Sequence, residues 1–279
     1  MKEVFIDEYE YDSLVSLLKN KMNIIIQGAP GVGKTFAAKR LAYSIMNQKD
    51  DERIKVIQFH QNYSYEDFIM GYKPNEEGFK LQKGVFYEFC KEAEKDLDRE
   101  YFFIIDEINR GNLSKVFGEL LMLIEDQYRG DKMTLAYDGS EFSVPENLYV
   151  IGMMNTADRS LAMIDYALRR RFSFFTMSPS FDNHTFINYQ KDLENEIFDD
   201  LIEEVKGLNS AISKDPSLGD GFCIGHSYFC NGKDIESNDG QWLREVIEYE
   251  VIPILDEYWF DDKSKVDEWS RRLRGVLND

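Results

Sequence analysis

Gly28-Ala29-Pro30-Gly31-Val32-Gly33-Lys34-Thr35 is a glycine-rich string closed by a lysine and a hydroxyl. Glycines at this spacing let backbone N–H groups curl around phosphate oxygens. The lysine reaches the β- and γ-phosphates, and the threonine hydroxyl serves Mg²⁺. Pro30 and Val32 inside the loop and Phe36 just beyond it complete the candidate nucleotide-binding set. A glycine turn beside a surface lysine would show the same letters. The apolar run Ile24-Ile25-Ile26 before the loop and the helical pattern Phe36 to Met46 after it supply the strand–loop–helix context that a P-loop requires.

A second chemical string lies 71 positions after Thr35. Tyr101-Phe102-Phe103-Ile104-Ile105 is almost wholly apolar and ends in Asp106-Glu107. Asp106 suits the Mg²⁺ shell, directly or through water, and Glu107 suits the polarisation of an attacking water. Strands also end in exposed acids for solubility, so the pair gains meaning from the P-loop upstream. Val150-Ile151-Gly152-Met153-Met154 leads to Asn155, an amide where a water facing a γ-phosphate could be oriented. Taken alone, an Asn at a strand end is a cap or turn residue.

Arg169-Arg170-Arg171 close a helical pattern that begins at Leu161. Cations at a helix C-terminus suit its dipole. Leu161, Ile164 and Leu168 share one face, and at about 100° per residue Arg170 falls on the opposite side. That direction suits an arginine offered to a neighbouring subunit, which can raise phosphoryl-transfer rates by about 10³–10⁵. Arg170 ranks first in this role, then Arg171.

The elements that must position these groups alternate. The patterns predict helix at Asp12–Asn20, strand at Met22–Gln27, helix at Phe36–Met46 and strand at Lys55–Phe59. Helix at Gly84–Leu97, strand at Tyr101–Ile105 and helix at Leu113–Glu125 follow. A β-hairpin over Met133–Val144 centres on Asp138-Gly139. Strand Leu148–Met153, helix Leu161–Arg170 and strand Phe172–Met177 complete five parallel-type strands in a doubly wound α/β sheet. A boundary at Ser178-Pro179-Ser180 divides a large α/β domain, residues 1–178, from a small helical lid, residues 179–279. The lid patterns are Glu194–Ser213, Trp242–Trp259 and Lys265–Leu277. Trp242, Val246, Tyr249 and Ile252 have helical spacing and are expected in the lid core.

Composition bounds the partners. The chain has 279 residues, enough to bury a sizeable core, and a formal net charge of −19. Such a chain is a poor nonspecific DNA clamp, because duplex binding needs basic surface. Three cysteines without a CxxC spacing argue against a disulfide framework or zinc, and the three histidines form no ligand cluster. The N-terminus is acidic without an apolar signal core, and no apolar run reaches membrane-spanning length. A cytoplasmic location is expected.

Together these motifs resemble the AAA+ superfamily of P-loop NTPases, and more narrowly the McrB family, the motor subunits of modification-dependent restriction systems. The strings that carry the finer likeness are Asp106-Glu107-Ile108-Asn109-Arg110-Gly111-Asn112 and Met154-Asn155-Thr156-Ala157-Asp158-Arg159-Ser160-Leu161. Phe59-His60-Gln61, Ser64-Tyr65-Glu66-Asp67-Phe68 and Ile224-Gly225-His226-Ser227-Tyr228-Phe229 add to it. The resemblance implies a self-assembled ring, usually a hexamer, that hydrolyses GTP with Mg²⁺, and a McrC-like nuclease subunit that stimulates it. It places Asn155, Asp158 and Arg159 at the nucleotide pocket or subunit seam, where Asp158 and Arg159 could pass the partner's signal to Asn155. The alternative is that Asp158 caps the following helix, which Ser160 could equally do. His226 could contact the nucleotide, or pack against Tyr228 or Phe229. Family members commonly carry an N-terminal domain that reads modified DNA. Here the P-loop begins only 28 residues in, so DNA contact is expected through a domain absent from this chain or through the partner.

Guanine selectivity rests on the likeness alone, since Asn20-Lys21-Met22-Asn23 lacks the Asp of an NKxD loop. Two other readings remain. One is an ATP-hydrolysing AAA+ chaperone of the MoxR kind. The other is a nucleotide-dependent scaffold that assembles without turnover.

Overall fold

A computed structural model describes residues 4–76, 78–158, 166–230 and 240–277. Helix α1 (Glu8–Lys21) starts at Asp7, whose side chain accepts from the Glu10 N–H while Glu10 reaches back, a reciprocal cap. It delivers the chain to β1 (Asn23–Gly28), and α2 (Lys34–Met46) follows the glycine-rich loop. Next come β2 (Ile54–Gln58), the single turn α3 (Tyr65–Phe68), the antiparallel pair β3 (Met70–Asn75) and β4 (Gly78–Lys83), and α4 (Val85–Ala93). Strand β5 (Tyr101–Asp106), α5 (Leu113–Phe117) and the two-residue strands β6 (Met133–Thr134) and β7 (Glu141–Phe142) lead to β8 (Leu148–Asn155). Helix α6 (Tyr166–Arg169) and β9 (Ser173–Met177) complete the α/β part.

Five strands form one parallel sheet in the order β2-β5-β8-β1-β9. Successive side chains of a strand point to opposite faces, and here both faces are covered. Ile24, Ile26, Phe102, Ile104, Ile151 and Met153 face α1 and α2, whereas Ile25, Phe103, Ile105 and Val150 face α4 and α5. This two-sided burial is why the strands read as continuous apolar runs. The register sets Gly28 between Asn155 of β8 and Met177 of β9. The carboxyl ends of the central strands therefore meet along one edge of the sheet, the place where open α/β sheets bind ligands.

The remainder is helical: α7 (His184–Leu193), α8 (Glu196–Lys214), α9 (Gln241–Val246), α10 (Ile252–Tyr258) and α11 (Lys263–Val276). Phe198, Leu201, Ile202, Val205, Leu243, Leu255 and Leu273 share a continuous core with the α1–α2 face of the sheet. Burying one such side chain contributes roughly 1.5–3 kcal/mol.

Several expectations are corrected. The helix expected over Leu113–Glu125 stops at Phe117, because Gly118 takes a positive φ of 53° and runs on as a 3₁₀ turn to Leu121. A Cβ at Gly118 would press on the Tyr65 ring. Tyr249 is 78% exposed, not in the lid core, whereas Trp242, Val246 and Ile252 are buried as expected. A π-helical turn, Ile247–Val251, joins α9 to α10 and breaks the 3.6-residue phase that would have brought Tyr249 inward. The β3–β4 hairpin and α7 had no sequence expectation. Leu161 and Ile164 lie outside the described residues.

Candidate active site

Gly31 and Gly33 sit at φ of 75° and 78°, the left-handed region that favours glycine, and this curls the loop between β1 and α2. Gly28 is equally constrained, since a Cβ there would strike the Met177 carbonyl. Val32 is buried under the loop and Phe36 stands half-exposed at its exit, with the Arg40 guanidinium 3.9 Å above the ring centroid. Gly31, Gly33, Lys34, Thr35 and Phe36 line a cleft of about 390 Å³ with Asp106, Glu107, Met154, Asn155 and Ser227. The P-loop, the end of β5, the end of β8 and the lid thus converge on one space.

Hydrogen bonds run across this cleft. Lys34 Nζ donates to the Gly28 and Ala29 carbonyls, both at 2.9 Å, and to Asn155 Oδ1 at 2.6 Å. Asn155 Nδ2 donates to Glu107 Oε1 at 2.8 Å. Burial draws the Lys34 ammonium down to about 8, against the pull of Glu107, Asp106 and Asp158. Asp106 Oδ1 accepts from the Glu107 N–H at 3.0 Å. Glu107 itself takes a left-handed backbone, φ 50° and ψ 44°, uncommon for a side-chain-bearing residue and frequent at functional sites. Its Oε2 is buried without an aligned hydrogen bond. Arg110 Nε stands 3.2 Å from that oxygen as an ion pair. Arg110 also reaches Asp158 Oδ2 at 3.2 Å. The sequence motifs assign no role to Arg110. Its i,i+3 spacing from Glu107 was the available signal.

The lid closes on the loop through backbone atoms. Gly225 N donates to the Pro30 carbonyl at 3.1 Å and Ser227 N to the Gly31 carbonyl at 2.8 Å. A Cβ at Gly225 would run into the Gly31 backbone, and one at Gly31 into the Tyr228 ring. His226 is 3% exposed, packed edge-on against Phe5 at 5.0 Å and near Phe181 and Phe186. These rings, not Tyr228 or Phe229, are its aromatic neighbours. Its Nδ1 accepts from the Ser180 N–H at 3.0 Å, and burial holds the ring down to about 4. The neutral ring therefore carries its proton on Nε2, which faces Gly33, 3.9 Å from where a Cβ there would lie. Thr156 ties the end of β8 to both sides, its N–H donating to the Gly28 carbonyl and its hydroxyl to the Gly221 carbonyl.

The arginines separate. Arg170 is exposed, 70% at the side chain, and lies 3.7 Å from Glu125, and its carbonyl accepts from Lys21. Arg171 is buried and held to Glu125 at 2.8 Å, so it is not free to reach a neighbour. Arg171 is expected to share the role of Arg170, and it lies buried where the chain turns inward to enter β9. Arg159 lies outside the described residues.

A magnesium ion with nucleotide phosphates asks the protein for few, hard oxygen ligands. The Thr35 hydroxyl and the Asp106 carboxylate at the cleft fit that demand. Among the described residues no group of three or more His, Cys, Asp or Glu could hold a metal by itself.

A family model described as AAA domain (dynein-related subfamily) matches residues 23–172. A second, described as the alpha-helical lid domain of McrB, matches residues 200–267. The chain is 50% identical over 284 aligned positions to the type IV methyl-directed restriction enzyme EcoKMcrB subunit of Escherichia coli K12, covering 99% of this chain and 62% of that protein. It is 29% identical over 192 positions to the type II restriction enzyme BsuMI component YdiS of Bacillus subtilis, covering 54% of this chain and 56% of that one. The chain therefore spans less than two thirds of the length of either relative.

Proposed function

The chain belongs to the AAA family, in its dynein-related subfamily, and from that premise we propose that it is the GTP-hydrolysing motor of a modification-dependent restriction complex. The observation that carries the reading is the hydrogen-bonded line Lys34–Asn155–Glu107 across a cleft walled by the P-loop, two strand ends and a McrB-type lid.

In this reading the cradle N–H groups and Lys34 hold the β- and γ-phosphates. Thr35 and Asp106 would hold Mg²⁺, which would supply charge neutralisation at the phosphates. Asn155 orients a water toward the γ-phosphorus, and Glu107 accepts its proton. The bond from the water oxygen to phosphorus forms as the bond to the bridging oxygen breaks, leaving the nucleoside diphosphate and phosphate. Arg170 of an adjacent subunit meets the charge that develops. Nε2–H of His226 faces the loop from the lid. By the family likeness, Asp158 and Arg159 pass a partner's signal to Asn155. Residues 1–178 act as the nucleotide-binding domain and residues 179–279 as the lid.

The remaining features rest on the resemblance of the sequence motifs to the McrB family: a ring, taken as a hexamer, a McrC-like nuclease partner, and DNA read by another domain or chain; a cytoplasmic location is proposed with them. Among the described residues no helix is long and apolar enough to cross a membrane.

Phosphate release from GTP and from ATP, with and without the nuclease subunit, tests this. GTP-selective turnover that the partner accelerates supports the restriction motor. ATP-selective turnover indifferent to the partner would remove both the guanine and the restriction assignments and favour a MoxR-like chaperone. A Glu107→Gln protein should bind nucleotide and assemble without turning over. Nucleotide-dependent assembly without turnover in the parent protein would favour a scaffold.

A further inference from the structure

Arg170 lies at the far edge of the sheet from its own nucleotide cleft. Strands β1 and β9 are parallel, with Ile24 beside Ser173 and Gly28 beside Met177. Arg170 comes just before β9, at the amino ends of the strands, whereas the P-loop follows Gly28 at the carboxyl ends. A strand the length of β1 spans roughly 17 Å at about 3.3 Å per residue, further than an arginine side chain reaches. The exposed guanidinium can therefore meet a phosphate only in a second copy of the chain.

The backbone beneath it is clamped. Lys21 Nζ donates to the Arg170 carbonyl. Asn23 Nδ2 donates to the Arg171 carbonyl at 3.1 Å and to the Ile124 carbonyl at 2.6 Å. Buried Arg129 fixes Asn23 in turn, Nη2 donating to Asn23 Oδ1 at 2.7 Å. Glu125 opens the 3₁₀ turn Asp126–Tyr128 that leads to Arg129. One oxygen of Glu125 serves both arginines: Oε1 stands 2.8 Å from Arg171 Nε and 3.7 Å from Arg170 Nη2. The close pair is buried and the longer one open to solvent. Attraction weakens with distance and with exposure, so Glu125 fixes Arg171 and only directs Arg170.

We propose that Glu125 is a positioning residue for Arg170. It anchors the turn through Arg171 and holds the Arg170 guanidinium at the surface, from which it passes to the neighbour's γ-phosphate at little cost. The proposal rests on the reading of Arg170 as the arginine supplied in trans. Glu125 then serves the neighbouring subunit's site and not its own.

The test is phosphate release by the assembled chain at saturating GTP and at saturating ATP. The parent, Glu125→Gln and Arg170→Ala are each measured alone and mixed in equal amounts with Glu107→Gln. Glu107→Gln subunits do not turn over but still offer their own Arg170. Glu125→Gln keeps the side-chain shape and an acceptor for Arg171, so its effect falls on the charge that directs Arg170. Its kcat should drop about two- to fivefold, the factor for one half-exposed ion pair, with KM unchanged. Arg170→Ala should drop further. Adding Glu107→Gln should raise the rate per competent subunit in both mixtures, because a neighbour now supplies a well-placed arginine. A defect confined to the folding of its own subunit would not be relieved this way.

Three results overturn the proposal and leave the trans-arginine reading intact. One is Glu125→Gln turning over at the parent's kcat. Another is Glu125→Gln failing to assemble where the parent assembles, seen by light scattering. The third is a Glu125→Gln deficit that Glu107→Gln does not relieve, although it relieves Arg170→Ala. Arg170→Ala at the parent's rate, or unrelieved by Glu107→Gln, overturns both. Loss of folding in Glu125→Gln, seen by circular dichroism, passes the decision to Glu125→Asp, which keeps the charge but draws it back by one methylene. There a kcat equal to the parent's, or a deficit that Glu107→Gln does not relieve, counts against the proposal.

Discussion

Lys34 Nζ lies 2.6 Å from Asn155 Oδ1, and its two other contacts are the loop's own carbonyls of Gly28 and Ala29. All three protons of the ammonium are thus spent inside the protein. An incoming phosphate must take Lys34 from these acceptors, and in doing so it releases the amide that contacts Glu107. Occupancy of the P-loop and freedom of the strand-end amide are linked through one nitrogen.

Replacing Asn155 should therefore split binding from turnover. Asn155→Ala frees Lys34 of one acceptor, so the nucleotide dissociation constant should stay level or tighten. Turnover should drop about 10²–10³-fold, the loss typical of one oriented catalytic group. Equilibrium binding of a fluorescent nucleotide beside phosphate release measures both. A dissociation constant weakened in proportion to kcat would remove the linkage.

The burial of Lys34 sets a pH dependence. Its ammonium is held down to about 8 in the nucleotide-free protein, and phosphates raise it by adding negative charge beside it. The complex then binds more protons than the free protein above pH 8. By linkage, affinity is fully present below that pH and falls as pH rises, by up to tenfold per unit until the bound lysine itself titrates. Calorimetry at pH 8.5 in buffers of different ionisation enthalpy should show proton uptake on binding. Uptake near zero there, or affinity that rises between pH 8 and 9.5, would contradict this.

Neighbouring arginines should fail in different ways. Arg171 is 8% exposed at the side chain and ion-paired to Glu125 at 2.8 Å, so Arg171→Ala should cost about 1–3 kcal/mol of stability and be visible in thermal unfolding. Arg170, at 70% exposure, should leave stability within about 0.5 kcal/mol and instead lower turnover in the assembled state. In the parent protein the specific rate should climb with concentration as subunits meet. A constant specific rate across the monomer-to-assembly transition would exclude a trans role for Arg170.

Gly225 offers a test of lid docking. A Cβ there meets the backbone of Gly31, which has no side chain to swing aside. Gly225→Ala should unseat the bonds from Gly225 to Pro30 and from Ser227 to Gly31 and weaken nucleotide binding at least tenfold, with only a modest change in unfolding temperature. Hydrogen exchange at the Ser227 amide would report the loosened turn. Unchanged exchange and binding would show that the close contact is relieved without cost.

Local pattern in the chain carries the chemistry of the motifs and the strands of the sheet. Continuous apolar runs read as strands buried on two faces, and the glycine spacing read as a phosphate cradle, because both are properties of short segments with their own periodicity. The ends of β1, β5 and β8 were legible as sites for Lys34, Asp106, Glu107 and Asn155 for the same reason. Tertiary structure alone decided the rest. The two ion pairs of Arg110 join Glu107 to a residue 51 positions further on, and no periodicity records such a contact. Arg170 and Arg171 are adjacent and chemically identical, yet one faces solvent and the other is buried on Glu125, since the chain turns inward between them. A π turn rotated Tyr249 out of a stripe that spacing put in the core. Gly225 and Gly31 meet only because the lid folds back on the loop. Short-range pattern reports which groups are present. Long-range packing sets which oxygen each of them touches.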